Sequence, residues 1–264
     1  MIEKVKQDVR SLLIVAEMTF RLQVMDTFIL FGIILQPLMI TAMAMWILKD
    51  KGPDAAIFVV VGSGMTGIWS TILFVSGNSI NDERWYGTLE TMVGVPTPLN
   101  LIILGKNFAN VFQAIFSMLV SFLVVTTIFG YHLEIIHPWA FVFSCVLTIF
   151  TFICFGLILA PFFVLNPMVG RFQNGLEFPV YILSGFLFPI TLLPGWTTPI
   201  SYLLPTFWAA KALHATSSGA ESWQQIYLYW GLLIVFSVVY LVASKILTDR
   251  VLLKARTDAT LDLE

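Results

Sequence analysis

The chain has 264 residues, of which 58% are hydrophobic and 11% charged, and its net charge is −2; mean hydropathy is +0.88. A soluble domain carries about 25% charged residues, so this chain holds more apolar surface than a globular core can hide, and its expected solvent is lipid. It has no basic footprint of the kind that marks a nucleic-acid binder.

The first element is mixed rather than greasy. Ile2, Val5, Val9, Leu12, Leu13, Ala16 and Phe20 step by three and four, which predicts a helix with one apolar stripe. Lys4, Lys6, Asp8, Arg10, Glu17 and Arg21 fall on other faces. Such a helix, over 1–26, is expected to lie in the membrane interface with its stripe down; the alternative is a helix packed on a partner protein. The pattern of a cleavable signal, a basic start and then about 7–15 apolar residues, is not met.

Crossing a bilayer takes about 20 mostly apolar residues. Six segments qualify: Phe28–Leu48, Ala55–Ser76, Leu101–Gly130, Trp139–Leu165, Gly175–Leu193 and Gln225–Leu247. The predicted fold is therefore all-α and integral to the membrane, one transmembrane domain over 1–264. It has a six-span bundle over 27–247 and a cytoplasmic tail over 248–264. If both termini are cytoplasmic, eleven of the assigned Lys and Arg residues lie inside and only Lys49, Lys51 and Lys211 outside. That bias fixes the orientation.

Within the second span, Ser63, Gly67, Ser70 and Thr71 follow helical steps on one side. Small faces let helices approach closely in lipid; the same face can line a path. Cys145 and Cys154 sit nine residues apart in one apolar run, on opposite sides of a helix, and do not pair.

The stretch 81–98, NDERWYGTLETMVGVPTP, follows the second span and is predicted to face the cytoplasm. A solvated loop accounts for Asp82, Glu83 and Arg84. It does not account for Trp85, or for Leu89, Met92 and Val93, which share one helical face. Thr88 is an acceptable N-cap and Pro96 a stop, so a short helix that docks on a cytoplasmic protein is expected. Arg84 and Glu90 are candidates for ion pairs to that partner or to the interface helix, or for an internal pair with each other or with Asp82.

Glu177 is the carboxylate nearest the inside of a span. Asn174 three residues before it resembles a capping arrangement, and an acidic group there meets the positive end of the helix dipole. An intramembrane charge is also a gating or substrate-access candidate. Beyond it, residues 188–214 are apolar but broken by Pro189, Pro194, Pro199 and Pro205. Proline disrupts helix interiors, so short re-entrant helices are expected before the sixth span, with Trp196, Tyr202, Phe207 and Trp208 at headgroup level. His132 and His137 flank Glu134 on a short outer loop and, like His214, are expected to be solvated. No metal spacing or nucleophile elbow is present. The nearest approach to a P-loop, Gly105-Lys106-Asn107, has Asn100 where glycine is required and no hydroxyl at 107.

The pattern Glu83-Arg84-x-x-Gly87-Thr88-Leu89-Glu90 followed by Pro96, after a second span, resembles the permeases of type-2 ABC exporters, of the drug-resistance and polysaccharide-export kind. So does Ser184-Gly185, then Phe188-Pro189, Leu193-Pro194-x-Trp196 and Pro205. With the interface helix and six spans, the resemblance covers nearly the whole chain. It departs at Thr206-Phe207-Trp208 and Lys211, where many relatives are more polar and carry arginine. The resemblance implies a transport subunit of a bacterial inner membrane without its own ATPase site. ATP and magnesium would be bound by separate ABC-type ATP-binding subunits, with a second permease copy, identical or related, completing the path. It implies that Glu83, Arg84, Gly87, Thr88, Leu89 and Glu90 form the coupling element. It also implies that the second and fifth spans line the path, which brings in Ser184 and Gly185. Drug, lipid and glycan substrates all remain open. The rival reading is a membrane-embedded enzyme acting on lipid, which would need a polar catalytic cluster at one depth.

Overall fold

The computed structural model describes residues 2–25, 27–48, 53–88, 91, 94–95, 97–186 and 190–257. Among them every regular element is helical. The elements are α1 (Ile2–Met25), α2 (Thr27–Leu48), α3 (Pro53–Thr71), α4 (Gly77–Trp85), α5 (Leu99–Leu123), α6 (Pro138–Leu165), α7 (Pro167–Arg171), α8 (Gln173–Leu183), α9 (Thr198–Leu203), α10 (Pro205–Ser218) and α11 (Trp223–Thr257). Single π turns, Ile72–Ser76 and Val124–Ile128, join α3 to α4 and extend α5. Proline opens α3, α6, α7 and α10. Its fixed φ suits the first helical position, where its missing donor is not needed.

Four helical stretches are long and apolar enough to cross a membrane: Ala56–Trp85, Leu99–Ile128, Pro138–Leu165 and Trp223–Leu253. The helix α2 runs over 22 residues, but its apolar portion among the described residues is Ile34–Ile47. The fifth predicted span is not continuous. Its helix α8 has 11 residues and stops at Ser184, ahead of two 3-10 turns, Ile190–Leu192 and Gly195–Thr197. Phe188 and Pro189 lie outside the described residues. The expected short helices before the last span are present as α9 and α10. With 14 residues, α10 rises only about 21 Å, less than the ~30 Å hydrocarbon core.

Two sequence-based boundaries shift. The second span does not end at Ser76; the π turn carries it on to Trp85, so Asp82, Glu83 and Arg84 belong to a helix end, not a loop. The predicted tail is helical from 248 to 257 as the continuation of α11, where Thr248 donates to Asn100 Oδ1 at 2.6 Å.

The core is built around α10, which buries Ala209, Ala210, Ala212, Leu213 and Ala215 against residues of α3, α6, α8 and α11. Phe207 is buried, at 3% exposure, against the rings of Tyr202 and Trp208, a correction to its expected headgroup position; Trp196 and Tyr202 are exposed. His214 is half-buried and stacks on Phe58 with centroids 3.9 Å apart, so it is not the solvated group expected.

Glycines set the closest helix contacts. A Cβ on Gly67 would lie 2.7 Å from Ser117 Oγ of α5, and one on Gly105 would lie 2.9 Å from Val15 Cβ of α1. Where lipid tails are as apolar as leucine, such close approach supplies the packing energy that hydrophobic burial supplies in water. The stripe predicted for α1 is split. Ala16 is buried and Leu12 half-buried on the bundle side, while Val9, Leu13 and Phe20 are exposed.

Candidate functional site

The helix that ends in the charged segment terminates in a Schellman motif. Tyr86 is the C-cap, and Gly87 follows at φ +68°, a left-handed conformation that only glycine adopts freely. The Gly87 amide donates to Arg84 O at 3.2 Å and the Thr88 amide to Glu83 O at 2.9 Å, which satisfies two carbonyls the helix end would otherwise leave open. The Thr88 hydroxyl also reaches back to the Glu83 carboxylate. Thr88 therefore closes the preceding helix; the segment it was expected to cap lies mostly outside the described residues. Leu89, Glu90, Met92, Val93 and Pro96 lie outside the described residues.

Glu83 is held inside the chain. Its Oε1 accepts from Lys106 Nζ at 2.6 Å, and the same ammonium donates to Ser79 O at 3.0 Å. Both side chains of the pair are mostly buried, so the bond welds α4 to the first turns of α5. The sequence gives no sign of this partner, 23 residues away. Next to the weld, Trp85 and Tyr86 are 77% and 81% exposed, two large rings at the end of the helix.

The second cluster surrounds Glu177. The helix α8 starts at Gln173 with Phe172 as its N-cap and no side-chain capping bond, so the expected Asn174–Glu177 capping arrangement is not formed. Glu177 is instead buried, at 7% exposure. Its Oε1 accepts from Tyr181 OH at 2.6 Å and from Gln36 Nε2 at 3.4 Å. Tyr181 OH also donates to Thr66 O at 3.3 Å, with the Ser70 hydroxyl nearby. The cluster joins α2, α3 and α8. Of the small residues of the second span, Ser70 thus meets α8, Gly67 packs on α5, Thr71 is buried, and Ser63 is fully buried with its hydroxyl donating to Val59 O at 2.8 Å.

Further along, Ser184 and Gly185 end α8 by the same device as Gly87. Gly185 has φ +68°, its amide donates to Ile182 O at 3.2 Å and the Phe186 amide to Tyr181 O at 3.4 Å. Phe186 and Tyr181 make the apolar contact that accompanies this motif, with ring centroids 6.0 Å apart. The Ser184 hydroxyl is hydrogen-bonded to that of Thr206 on α10.

A third set of polar groups escaped the sequence reading altogether. Gln23 Nε2 donates to Asn110 Oδ1 at 2.7 Å, and Asn110 Nδ2 to Ser76 Oγ at 2.8 Å. Asn78 and Gln173 exchange two amide bonds at 3.1 and 3.0 Å, and Gln173 also donates to Leu73 O at 3.3 Å. These bonds clasp the π turn Ile72–Ser76 from both sides. π turns inside α-helices occur often at functional sites.

These features sit in an all-helical bundle with, among the described residues, four stretches long and apolar enough to cross a membrane. The family profile of ABC-2 type transporters matches residues 10–217, from α1 through α10. The chain belongs to this family: it is the membrane subunit of an ABC transporter and a multi-pass membrane protein. Family permeases of this kind work with ABC ATP-binding subunits. A search of curated proteins finds no match.

Proposed function

We infer that the chain is the membrane half of an ATP-driven exporter, with six spans and both termini in the cytoplasm of a bacterium, placed in the inner membrane. A second permease copy completes it, and ATP and magnesium are bound by the partner ATPase. The observation that carries this reading is the end of the second span. One helix runs from the buried Ser63 to Trp85, is fixed by Glu83–Lys106, and leaves Trp85 and Tyr86 exposed at its end. Aromatic rings on a rigid, desolvatable patch are the residues that dominate protein–protein contacts. Nucleotide-driven movement of an ATPase groove over residues 83–90 would act through this rod on Ser70, Tyr181 and Glu177. Those residues, with Ser184 and Gly185 at the break of the fifth segment, are the path or gate candidates. The substrate class remains drug, lipid or glycan.

The test uses the two exposed rings, because replacing Glu83 would also break an internal bond. Trp85→Ala with Tyr86→Ala is expected to insert normally and to lose co-purification of the ATPase. Recovery of the ATPase at the unsubstituted level would refute the docking role.

A further inference from the structure

A hollow of about 10 Å³ lies where α3 and its π turn meet α5 and α6. Its wall includes Ile68, Ile72, Asn107, Asn110, Phe152 and Ile153, each of them buried, at 8% exposure or less. The volume is close to the ~10–15 Å³ that one water molecule takes, and no larger ligand fits.

Most of this wall is hydrocarbon, and a purely apolar void stays dry. Asn107 makes this one different. Its Oδ1 is buried and has no hydrogen-bond partner among the described residues. The amide cannot turn over to find one. Its Nδ2 donates to Ile153 O at 3.3 Å, and a flipped amide would set two acceptors against each other there. The same arm is pressed on α6, where a Cβ on Gly156 would lie 2.7 Å from Nδ2. A buried acceptor in this state costs as much as a lost hydrogen bond, and ordered water relieves it where space and further polar partners exist.

The partners exist. Asn110 gives one amide proton to Ser76 Oγ and accepts at Oδ1 from Gln23. A side-chain amide carries two donors and two lone pairs, so Asn110 keeps one of each. A water in the hollow can donate to Asn107 Oδ1 and use the remaining capacity of Asn110, which supplies the two or more bonds an internal water makes.

We propose that this hollow is the site of one structural water, held between Asn107 Oδ1 and the Asn110 amide. The water completes a polar run through the bundle. Gln23 of α1 is joined to Asn110 and on to Ser76 of the π turn, and Asn107 is joined to Ile153 O of α6. Bridging Asn107 to Asn110 makes the two pieces one, so that α1, α5, the π turn and α6 share a single network. The site is independent of the coupling to an ATPase.

The test is X-ray radiolytic footprinting of the full chain in detergent, read by mass spectrometry. X-rays split a bound water where it sits, and the radical oxidises the side chains around it, however deeply they are buried. Phe152 is the reporter, at 2% exposure and in the wall of the hollow. Phe163 and Phe186, both 0% exposed and outside that wall, are the controls. Phe152 is expected to oxidise several-fold faster than either control. Oxidation no faster than theirs overturns the site. Asn107→Leu is expected to bring Phe152 down to the control rate; fast oxidation that persists there, with both controls still protected, overturns the role of Asn107. If the controls react in that variant, the fold has opened and Asn110→Leu takes its place: loss of Phe152 oxidation supports the bridge, and its persistence overturns it.

Discussion

Gly87 and Gly185 do the same work at the ends of two helices. Both hold φ +68° and both close a helix by bonding back over its last turn. At the buried break the accompanying side-chain contact is apolar, Phe186 on Tyr181; at the charged end it is polar, Thr88 on Glu83. A Cβ on Gly87 would touch nothing within 4 Å, so the cost of Gly87→Ala is conformational alone, about 1–2 kcal/mol. Thermal unfolding in detergent is expected to show that loss, and Gly87→Asn a smaller one, because asparagine tolerates the left-handed region. Gly77 poses the opposite problem. Its Cβ would meet Phe163 Cε2 at 2.5 Å, whereas one on Gly175 would meet nothing. Gly77→Ala is expected to cost about 1–3 kcal/mol by overpacking, with Gly175→Ala as the unaffected comparison. The sequence marked Gly87 and Gly185 only as parts of a family pattern. Their φ angles, which give the physical reason, cannot be read from a string of letters.

At the scale of elements, apolar runs located four of the six predicted spans, because length and hydropathy are local properties. Charge misled at one boundary. Asn81, Asp82, Glu83 and Arg84 read as the start of a loop, yet they form the last turns of a helix, because Lys106 neutralises Glu83 from another element. That pairing, and the Gln23–Asn110–Ser76 and Asn78–Gln173 bonds, join residues tens of positions apart and leave no periodic trace. The weld makes a signed prediction. Lys106→Met leaves Glu83 partly buried without its cation, so it should destabilise more than the double change Lys106→Met with Glu83→Gln; additive losses in thermal unfolding would contradict it. Asn110→Leu removes bonds to both Gln23 and Ser76 and is expected to cost about 1 kcal/mol, the scale of polar contacts in lipid.

For the whole molecule, the two ends are chemically distinct. One carries Glu83, Lys106, Trp85, Tyr86 and the packed α1; the other carries the 129–137 segment, tied to α10 by Ile136 N to Ser217 O at 3.1 Å and His137 N to Thr216 O at 3.3 Å. If the inferred topology holds, a cysteine at Glu134 reacts with an impermeant maleimide in intact cells, and one at Tyr86 reacts only after permeabilisation. The reverse pattern would invert the orientation. Cys154 is buried and Cys145 half-buried, so replacing both with alanine gives a clean background.

The π turn Ile72–Ser76 has a consequence for which insertions and deletions the chain can carry. Its wide hydrogen bond, from the Gly77 amide to Ile72 O, absorbs one residue more than an α-helix would use, and each residue of a helix turns the chain by about 100°. The halves on either side are therefore phased differently, one toward α8 and one toward Lys106. Removing a single residue from 72–76 would spin the aromatic tip roughly a quarter of the way around its axis and strand Glu83 on the wrong side. Chain length at this point is thus a setting, fixed as tightly as the identity of any side chain nearby.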